Sequence, residues 1–238
     1  MKSQLFSNDI IQQLHLPNAN MRTVSNQVYA VIRSKIISLD IEPGTFMSEK
    51  EIADLLNVSR TPVREAFIRL NRERLVNIFP QKGTMVSQIS ISRAKEERFL
   101  RESLEKAVVE LFMQNPSKES VQKLTEMIEM QKQMLEQEDF TGFMQYDDQF
   151  HAVFYQETDK TLCNTIVQNN SIDYYRLRFL SLNLNEGVGS LNTKQHVELY
   201  HAVVERNFDQ MEHILNNHLR KLFTELETMT SKFPHYFV

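Results

Sequence analysis

Polar side chains interrupt the apolar stripe of a helix that the sequence pattern predicts over 140–157. Asp147 and His151 stand in line with Phe150 and Phe154, and their spacing of four puts both side chains on the same side of adjacent turns. A buried carboxylate is unfavourable unless it is paired with a positive charge or bound to a metal ion. The pair is therefore a candidate for metal ligation.

Two histidines show the same pattern in later predicted helices. His196 lies in line with Tyr200, and His218 lies between Leu215 and Leu222. Together with the aspartate and histidine above, they would supply three imidazoles and one carboxylate. Such a set suits Zn²⁺ or Ni²⁺, with room for water or a ligand. A histidine on an apolar face is also commonly a hydrogen-bonded core residue, so packed histidines remain the alternative.

A different chemistry is indicated by the stretch SEKEIADLLNVSRTPVREAFIRLNRERLV, which begins at residue 48. It predicts a helix that begins with a Ser48–Glu51 capping box, a turn at Asn57-Val58, and a second helix with Pro62 in its first turn. The second helix would face the first with four apolar residues at helical spacing, Val63, Ala66, Phe67 and Leu70.

The outer face of this second helix carries the candidate DNA contacts. Arg60 and Arg64 lie one turn apart, with Ser59 and Thr61 at the helix N-terminal end. This arrangement suits a helix that enters a DNA major groove, where arginine binds guanine edges or phosphate oxygens. An ordinary amphipathic helix pair with a solvated basic face is the alternative.

Two short β-prone runs follow, at residues 75–79 and 84–87. They are separated by Pro80-Gln81-Lys82-Gly83, which predicts a hairpin with a basic, glycine-containing tip. A hairpin directly after a recognition helix is the wing of a winged helix-turn-helix. A first helix is predicted over 23–39.

The distribution of charge separates the two candidate sites. The chain has 238 residues, and residues 21–95 hold 12 Lys/Arg against 7 Asp/Glu, whereas residues 96–238 hold 14 against 23. A basic module joined to an acidic one fits phosphate contact on one side and a different task on the other. The single cysteine, Cys163, excludes an intrachain disulfide framework and favours the cytoplasm. No apolar run approaches the length of a membrane span.

The expected fold is mainly α: a winged helix-turn-helix at 23–88, then an antiparallel all-helical bundle at 92–232, with residues 1–22 as an N-terminal extension. Residues 183–192 are expected to form a polar loop. The bundle helices are predicted at 92–114, 118–138, 140–157, 159–182, 193–206 and 208–230.

Residues 24–88 resemble the DNA-binding domain of the GntR family of bacterial transcription regulators. The elements EPG, SE, VSRTPVREA and G-x-x-V occur in the family's order and spacing. One departure is the segment Asn71-Arg72-Glu73-Arg74, where the family more often has a glycine. The resemblance implies operator contacts, which it assigns to Lys50, Arg60, Thr61, Arg64, Lys82 and Gly83.

Residues 92–230 resemble the FCD-type effector domain of the FadR-like branch of this family. The matching elements are FLRESLE at 99–105, DDQFH at 147–151, a histidine after a loop, and HLR at 218–220. The resemblance implies a metal held by Asp147, His151, His196 and His218, and a small organic acid as effector.

Arg101 matches the family arginine that points into the effector cavity. A guanidinium there would bind a carboxylate through two hydrogen bonds. The alternative is a surface pair with Glu105, one turn further along the helix.

These observations predict a non-enzymatic transcription regulator, a homodimer that represses by binding a double-stranded operator and responds to a small carboxylate at a metal site. Two alternatives remain. The His₃Asp set would also serve a metalloenzyme. Alternatively, the second domain would only dimerise, and the chain would bind DNA with no effector.

Overall fold

The computed structural model describes residues 23–185 and 187–238. These divide into two units: the winged unit, which holds residues 23–90 and 233–238, and the helical unit, Ile91–Lys232. The extension expected at 1–22 lies outside the described residues. Among the described helices, none combines the length and the apolar character needed to cross a membrane.

The winged unit contains three α-helices, a 3₁₀ helix (Pro234–Tyr236) and a small antiparallel sheet with strand order β1-β3-β2, so the winged helix-turn-helix prediction is confirmed. The strand β1 was not predicted; it pairs with the wing through Phe46 and Met85. The elements in chain order are α1 (Val24–Ile37), β1 (Phe46–Met47), α2 (Glu49–Leu56), α3 (Arg60–Arg72), β2 (Val76–Phe79) and β3 (Gly83–Val86).

Local sequence signals account for the helix ends in this unit. Both hydrogen bonds of the Ser48–Glu51 capping box are present, and Asn57 ends α2 in the left-handed conformation with φ 52°. Arg74 has φ 62° just after α3, so an arginine adopts the left-handed conformation near the position where the family more often has glycine. The predicted contact face of α3 is buried, namely Val63, Ala66, Phe67 and Leu70.

The wing tip requires its glycine. Gly83 has φ 114°, and a Cβ added to it would lie 3.1 Å from the carbonyl oxygen of Met47. A side chain at this position would therefore be strained by the positive φ and would crowd the backbone of β1. This contact ties the hairpin to the rest of the sheet.

The last six residues of the chain belong to the winged unit, which the sequence did not predict. The backbone N–H of Ile89 donates to the carbonyl of Tyr236 at 2.7 Å, and that of Val238 donates to the carbonyl of Ile89 at 3.1 Å. The Gln88 amide donates to the carbonyls of His235 and Phe237 at 2.9 and 3.0 Å. The tail thus extends the backbone pairing beyond the wing.

The helical unit is an all-α bundle, as predicted. Its elements in chain order are α4 (Ile91–Gln114), α5 (Lys118–Glu136), α6 (Phe140–Glu157), α7 (Thr161–Asn169), α8 (Ile172–Leu184), α9 (Gly187–Val204), α10 (Phe208–Arg220), a 3₁₀ segment (Lys221–Glu225) and α11 (Leu226–Lys232).

Three boundaries in this unit differ from the prediction. The helix expected over 159–182 is broken, since Asn170 and Ser171 donate side-chain hydrogen bonds to the carbonyls of Ile166 and Val167 and so compete with helix continuation. The helix expected over 208–230 is interrupted by the 3₁₀ segment Lys221–Glu225.

The prediction of a loop at 183–192 was also wrong, because α9 begins at Gly187. The glycines suggested a turn, but Gly189 serves close packing: a Cβ there would lie 2.4 Å from Cδ2 of Leu135. This glycine therefore allows two helices to approach each other.

Aromatic packing fixes the rotation of α6. Phe154 meets Phe112 edge-to-face with ring centroids 5.0 Å apart, and meets Phe150 in the same way at 5.5 Å. Because this stripe faces the core, Asp147 and His151 on the same side of the helix also point inward, and both are buried.

Candidate functional site

The four residues predicted as metal ligands lie together inside the helical unit. Asp147 and His151 come from α6, His196 from α9 and His218 from α10. Each offers one donor atom, and the four atoms all lie within 4.8 Å of one another. The first three side chains are buried and the fourth is half-buried.

Two glutamines orient two of the imidazoles. Nδ1 of His196 lies 2.7 Å from Oε1 of Gln131, and Nδ1 of His218 lies 3.0 Å from Oε1 of Gln195. Because an amide oxygen only accepts hydrogen bonds, each Nδ1 carries the proton and each Nε2 has a free lone pair. The two Nε2 atoms face each other at 3.2 Å, although neither can donate to the other in this tautomer. A cation bound by both atoms would satisfy the two lone pairs.

The third imidazole is held by a carboxylate. Nδ1 of His151 contacts Oε1 of Glu105, whose Oε2 accepts a hydrogen bond from Nε of Arg101 at 2.9 Å. Burial would raise the pKa of Glu105, but its contacts with His151 and Arg101 outweigh it and hold that pKa well below its usual range. Nε2 of His151 has no hydrogen-bond partner in the described part of the chain.

Asp147 uses its two carboxylate oxygens differently. Oδ2 accepts a hydrogen bond from Nη2 of Arg178, whose Nη1 donates to Oδ1 of Asp148 at 3.0 Å. Oδ1 of Asp147 has no hydrogen-bond partner among the described residues and lies 3.7 Å from Nε2 of His196. Burial would raise the pKa of Asp147, but the positive charge of Arg178 outweighs it and lowers that pKa below its usual range. One oxygen of an ionised carboxylate is therefore free to bind a metal ion.

Burial keeps two of the three imidazoles neutral. It lowers the pKa of His196 to about 3 and that of His218 well below its ordinary value, despite the opposing charge of Asp147. Only the neutral imidazole ligates a metal. The site therefore presents metal-competent ligands at neutral pH.

The residues present fit a divalent cation. Buried polar atoms without partners are unfavourable, and here a carboxylate oxygen and imidazole nitrogens lack partners or oppose one another around one point. The outward nitrogen of each imidazole is held by Gln131, Gln195 or Glu105, which is the support that metal-ligating histidines usually have. One oxygen and three nitrogens suit Zn²⁺ or Ni²⁺.

A narrow cavity with about 30 Å³ of space accessible to water lies beside this cluster; its lining includes His218, Tyr174 and Arg178. Arg101 is not among the lining residues. Its guanidinium lies 5.9 Å from the centre of the Tyr174 ring, and it forms the expected pair with Glu105, but that pair is buried rather than on the surface.

Arg178, Gln131 and Gln195 were not predicted as site residues. Arg178 carried a usable signal, since it interrupts the apolar run of α8 just as the histidines interrupt theirs. The two glutamines gave no such signal, because glutamine is common in amphipathic helices.

In the winged unit the predicted DNA contacts are accessible. Gly83 is half-buried. The other predicted contacts are exposed, namely Lys50, Ser59, Arg60, Thr61, Arg64 and Lys82. The Ser59 hydroxyl makes no capping hydrogen bond, so the first backbone N–H groups of α3 remain available to an anion.

Arg64 has a partner that the sequence did not reveal. Its Nε and Nη2 donate to Oε1 and Oε2 of Glu49, both at 2.9 Å, across the turn between α2 and α3. The side chain is nevertheless 65% exposed. Two parallel bonds fix the plane of the guanidinium while its remaining N–H groups face solvent.

Comparisons with known proteins identify both domains. Residues 24–86 match the family described as "Bacterial regulatory proteins, gntR family", and residues 98–221 match the FCD domain. The HTH-type transcriptional repressor RspR of Escherichia coli (strain K12) is 31% identical over 199 residues, which is 84% of this chain and 87% of that protein.

The fold is also similar to that of a solved structure, Escherichia coli McbR/YncC. The TM-score is 0.72 with 19% sequence identity, and the match covers 90% of this chain and 100% of that one. The matched proteins are transcription regulators rather than enzymes, so the alternative of a metalloenzyme is set aside. The chain belongs to the GntR family of bacterial transcription regulators and combines a helix-turn-helix domain with an FCD domain.

Proposed function

We propose that this regulator is a repressor whose affinity for its operator is controlled by a small organic acid bound at a divalent metal in the helical unit. The observation that carries the proposal is the convergence of one carboxylate oxygen and three imidazole nitrogens within 4.8 Å. Acting on chromosomal DNA, it would work in the cytoplasm.

Asp147, His151, His196 and His218 would hold the metal, with Zn²⁺ or Ni²⁺ the best matches to their donor atoms. When bound, the ion supplies a Lewis acid that attracts a carboxylate oxygen. The residues of the chain exclude bulk water, keep His196 and His218 neutral and aim the imidazole nitrogens at one point.

Arg178 is the better supported contact for the effector carboxylate, because it lines the cavity and Arg101 is not among the lining residues. Arg101 would act through its neighbours: it holds Glu105, which in turn holds His151. Each arginine is paired with carboxylates of the chain, so the attraction for an anionic ligand would come from the bound cation.

In a homodimer, each winged unit would read one half of a palindromic operator. The N-terminal end of α3 would enter the major groove and the wing tip at Lys82 would contact the adjoining backbone. Control by the acid requires that it bind more tightly to one arrangement of the dimer than to the other. For a repressor, the acid would favour the arrangement that releases DNA.

The first test is elemental analysis of the untagged protein and two variants, His196→Ala and the control His213→Ala. His213 is exposed on α10, and its Nε2 lies within hydrogen-bond distance of the Asn217 amide, away from the four clustered residues, so its loss should leave the cluster intact. We expect about one ion per chain in the wild type and the control, and a small fraction of that in His196→Ala.

The second test measures operator affinity by fluorescence anisotropy, on DNA selected in vitro with the purified protein. Candidate acids should weaken binding in the metal-loaded protein and have no effect after chelation. If neither chelator nor any acid changes the affinity, the chain is a constitutive DNA-binding regulator and the control mechanism is wrong.

A further inference from the structure

The polypeptide that leaves the cluster returns to the winged unit. His218 lies in the last turn of α10, the 3₁₀ segment Lys221–Glu225 follows, and α11 ends at Lys232. The next six residues, 233–238, belong to the winged unit. The winged unit is therefore joined covalently to the helical unit twice, once before α4 and once after α11.

This second connection is anchored at both ends. Met229 of α11 is fully buried. In the tail, Tyr236 is buried, and its hydroxyl donates a hydrogen bond to the carboxylate of Glu42, just before β1. The backbone of Ile89, just after β3, exchanges hydrogen bonds with Tyr236 and Val238. A shift of the tail therefore acts on the segments next to two strands of the winged sheet.

The cavity beside the cluster is too small for an acid. Its space of about 30 Å³ holds little more than a water molecule, so a carboxylic acid enters only if part of the lining moves. Lys221, Leu222 and Glu225 line it from the 3₁₀ segment, whereas the other described lining residues lie on α-helices. Because 3₁₀ hydrogen bonds have poorer geometry than α-helical ones, this segment is the part of the lining that yields first.

A change in the 3₁₀ segment is large enough to undock the tail. A 3₁₀ helix rises about 2.0 Å per residue and an α-helix about 1.5 Å. Conversion of the five residues Lys221–Glu225 to α-helix would therefore shorten the chain by about 2.5 Å. The hydrogen bonds between Ile89 and the tail are 2.7 and 3.1 Å long, and a displacement of this size breaks them.

We propose that the C-terminal tail, residues 233–238, is the element through which a ligand at the cluster controls the winged unit. A ligand larger than water displaces the 3₁₀ segment, α11 follows, and the tail leaves Ile89 and Glu42. The tail is docked in the form that binds DNA and released in the form that binds the ligand. This inference rests on the proposed function and adds its route of regulation.

The first test follows the tail in full-length protein loaded with Co²⁺. The visible absorption of the ion shows whether acetate, lactate or succinate reaches it, and hydrogen exchange measured by mass spectrometry follows the amides of Ile89 and Val238. We expect an acid that changes the spectrum to speed their exchange about tenfold, as for the loss of one backbone hydrogen bond. Amides around Ile32, which is fully buried in α1, are the internal control and should not change.

The second test gives the connection slack. Two glycines inserted between Lys232 and Phe233 add a reach of about 7 Å, more than the expected shift. The acid should still change the cobalt spectrum, but tail exchange and operator affinity should no longer respond to it. The matched control carries the same two glycines after Val238, which is exposed, and should respond as the wild type does. Circular dichroism and operator affinity without acid show that both variants fold.

The outcomes separate this inference from the function on which it rests. If an acid changes the cobalt spectrum and the operator affinity of the wild type while tail exchange stays constant or slows, the tail is not the coupling element. The same holds if the variant with glycines before Phe233 responds like its control, and in both cases control by an acid stands. If no acid changes both the spectrum and the operator affinity of the wild type, the proposed function itself fails.

Discussion

The winged unit and the helical unit each contain an arginine bound to carboxylate oxygens, but in opposite surroundings. Arg64 pairs with Glu49 with 65% of its side chain exposed, whereas Arg178 pairs with Asp147 and Asp148 with 10% exposed. Water weakens the first interaction and a low dielectric strengthens the second. The exposed arginine can exchange its partner for a DNA base or phosphate at little cost, whereas the buried one keeps its position.

Removal of the buried arginine is the strongest test of this contrast. In Arg178→Ala the Asp147 carboxylate loses its partner, and breaking a buried pair on one side costs about 3–5 kcal/mol. We expect a matching loss in the free energy of unfolding of the metal-free protein, measured by urea denaturation. A loss no larger than that of Lys194→Ala, an exposed control, would show that Asp147 is not stabilised by Arg178.

Removal of the exposed arginine should weaken DNA binding and leave the stability of the protein nearly unchanged. Arg64→Ala should weaken operator binding roughly 10- to 100-fold, since an arginine that reads a base contributes this much, and leave the melting temperature nearly unchanged. Anisotropy on the selected operator and on a scrambled duplex measures both affinity and specificity. Unchanged affinity for the operator would remove Arg64 from the interface.

The pH dependence of stability should come from the helical unit. The folded pKa of His196 is about 3, below the unfolded value of 6.5, so the unfolded state binds the additional proton. Stability of the metal-free protein therefore falls as the pH drops below about 6.5, by about 2 kcal/mol from this residue at pH 5. Burial raises the pKa of Glu97 to about 7, which acts in the opposite direction.

Comparison with His196→Gln separates these two contributions. The variant keeps Glu97 but lacks the titrating imidazole, so its stability should fall less between pH 7 and pH 5 than that of the wild type. Urea denaturation at both pH values measures the difference. Equal losses in the two proteins would mean that His196 is already protonated in the folded state.

Salt should distinguish the two binding reactions. Each phosphate neutralised by the winged unit makes operator affinity fall about 3.5-fold between 50 and 200 mM salt, because condensed counterions are released. Acid binding beside buried Arg178 should change far less over the same range, since the charges are shielded from the ions. Similar salt slopes for DNA and acid would contradict the assignment of an exposed and a buried site.

The sequence predicted the winged unit well because its signals are local. The capping box, the helix-turn-helix apolar spacing and the Lys82-Gly83 tip lie within a few residues of the groups they position. The inward ligands of the helical unit were also predictable, since each is a polar residue on an apolar helical stripe.

The surroundings of those ligands were not predictable from sequence. Arg178 reaches Asp147 across 31 residues and Gln131 reaches His196 across 65, so their pairing exists only once the helices pack. The start of α9 was missed for a related reason: Gly189 is a packing residue, and its role depends on the distant Leu135. From the sequence alone, a glycine is equally consistent with a turn and with the close approach of two helices.

The C-terminal tail has a practical consequence for dissecting this protein. A fragment that stops at Ser90 would contain the helix-turn-helix and the wing but would strip Ile89, which is fully buried, of its two backbone partners Tyr236 and Val238. Such a fragment would expose an apolar side chain and an unpaired strand-like edge, which invites aggregation. A well-behaved DNA-binding fragment should therefore be engineered with residues 233–238 spliced after Ser90 through a short glycine-serine linker.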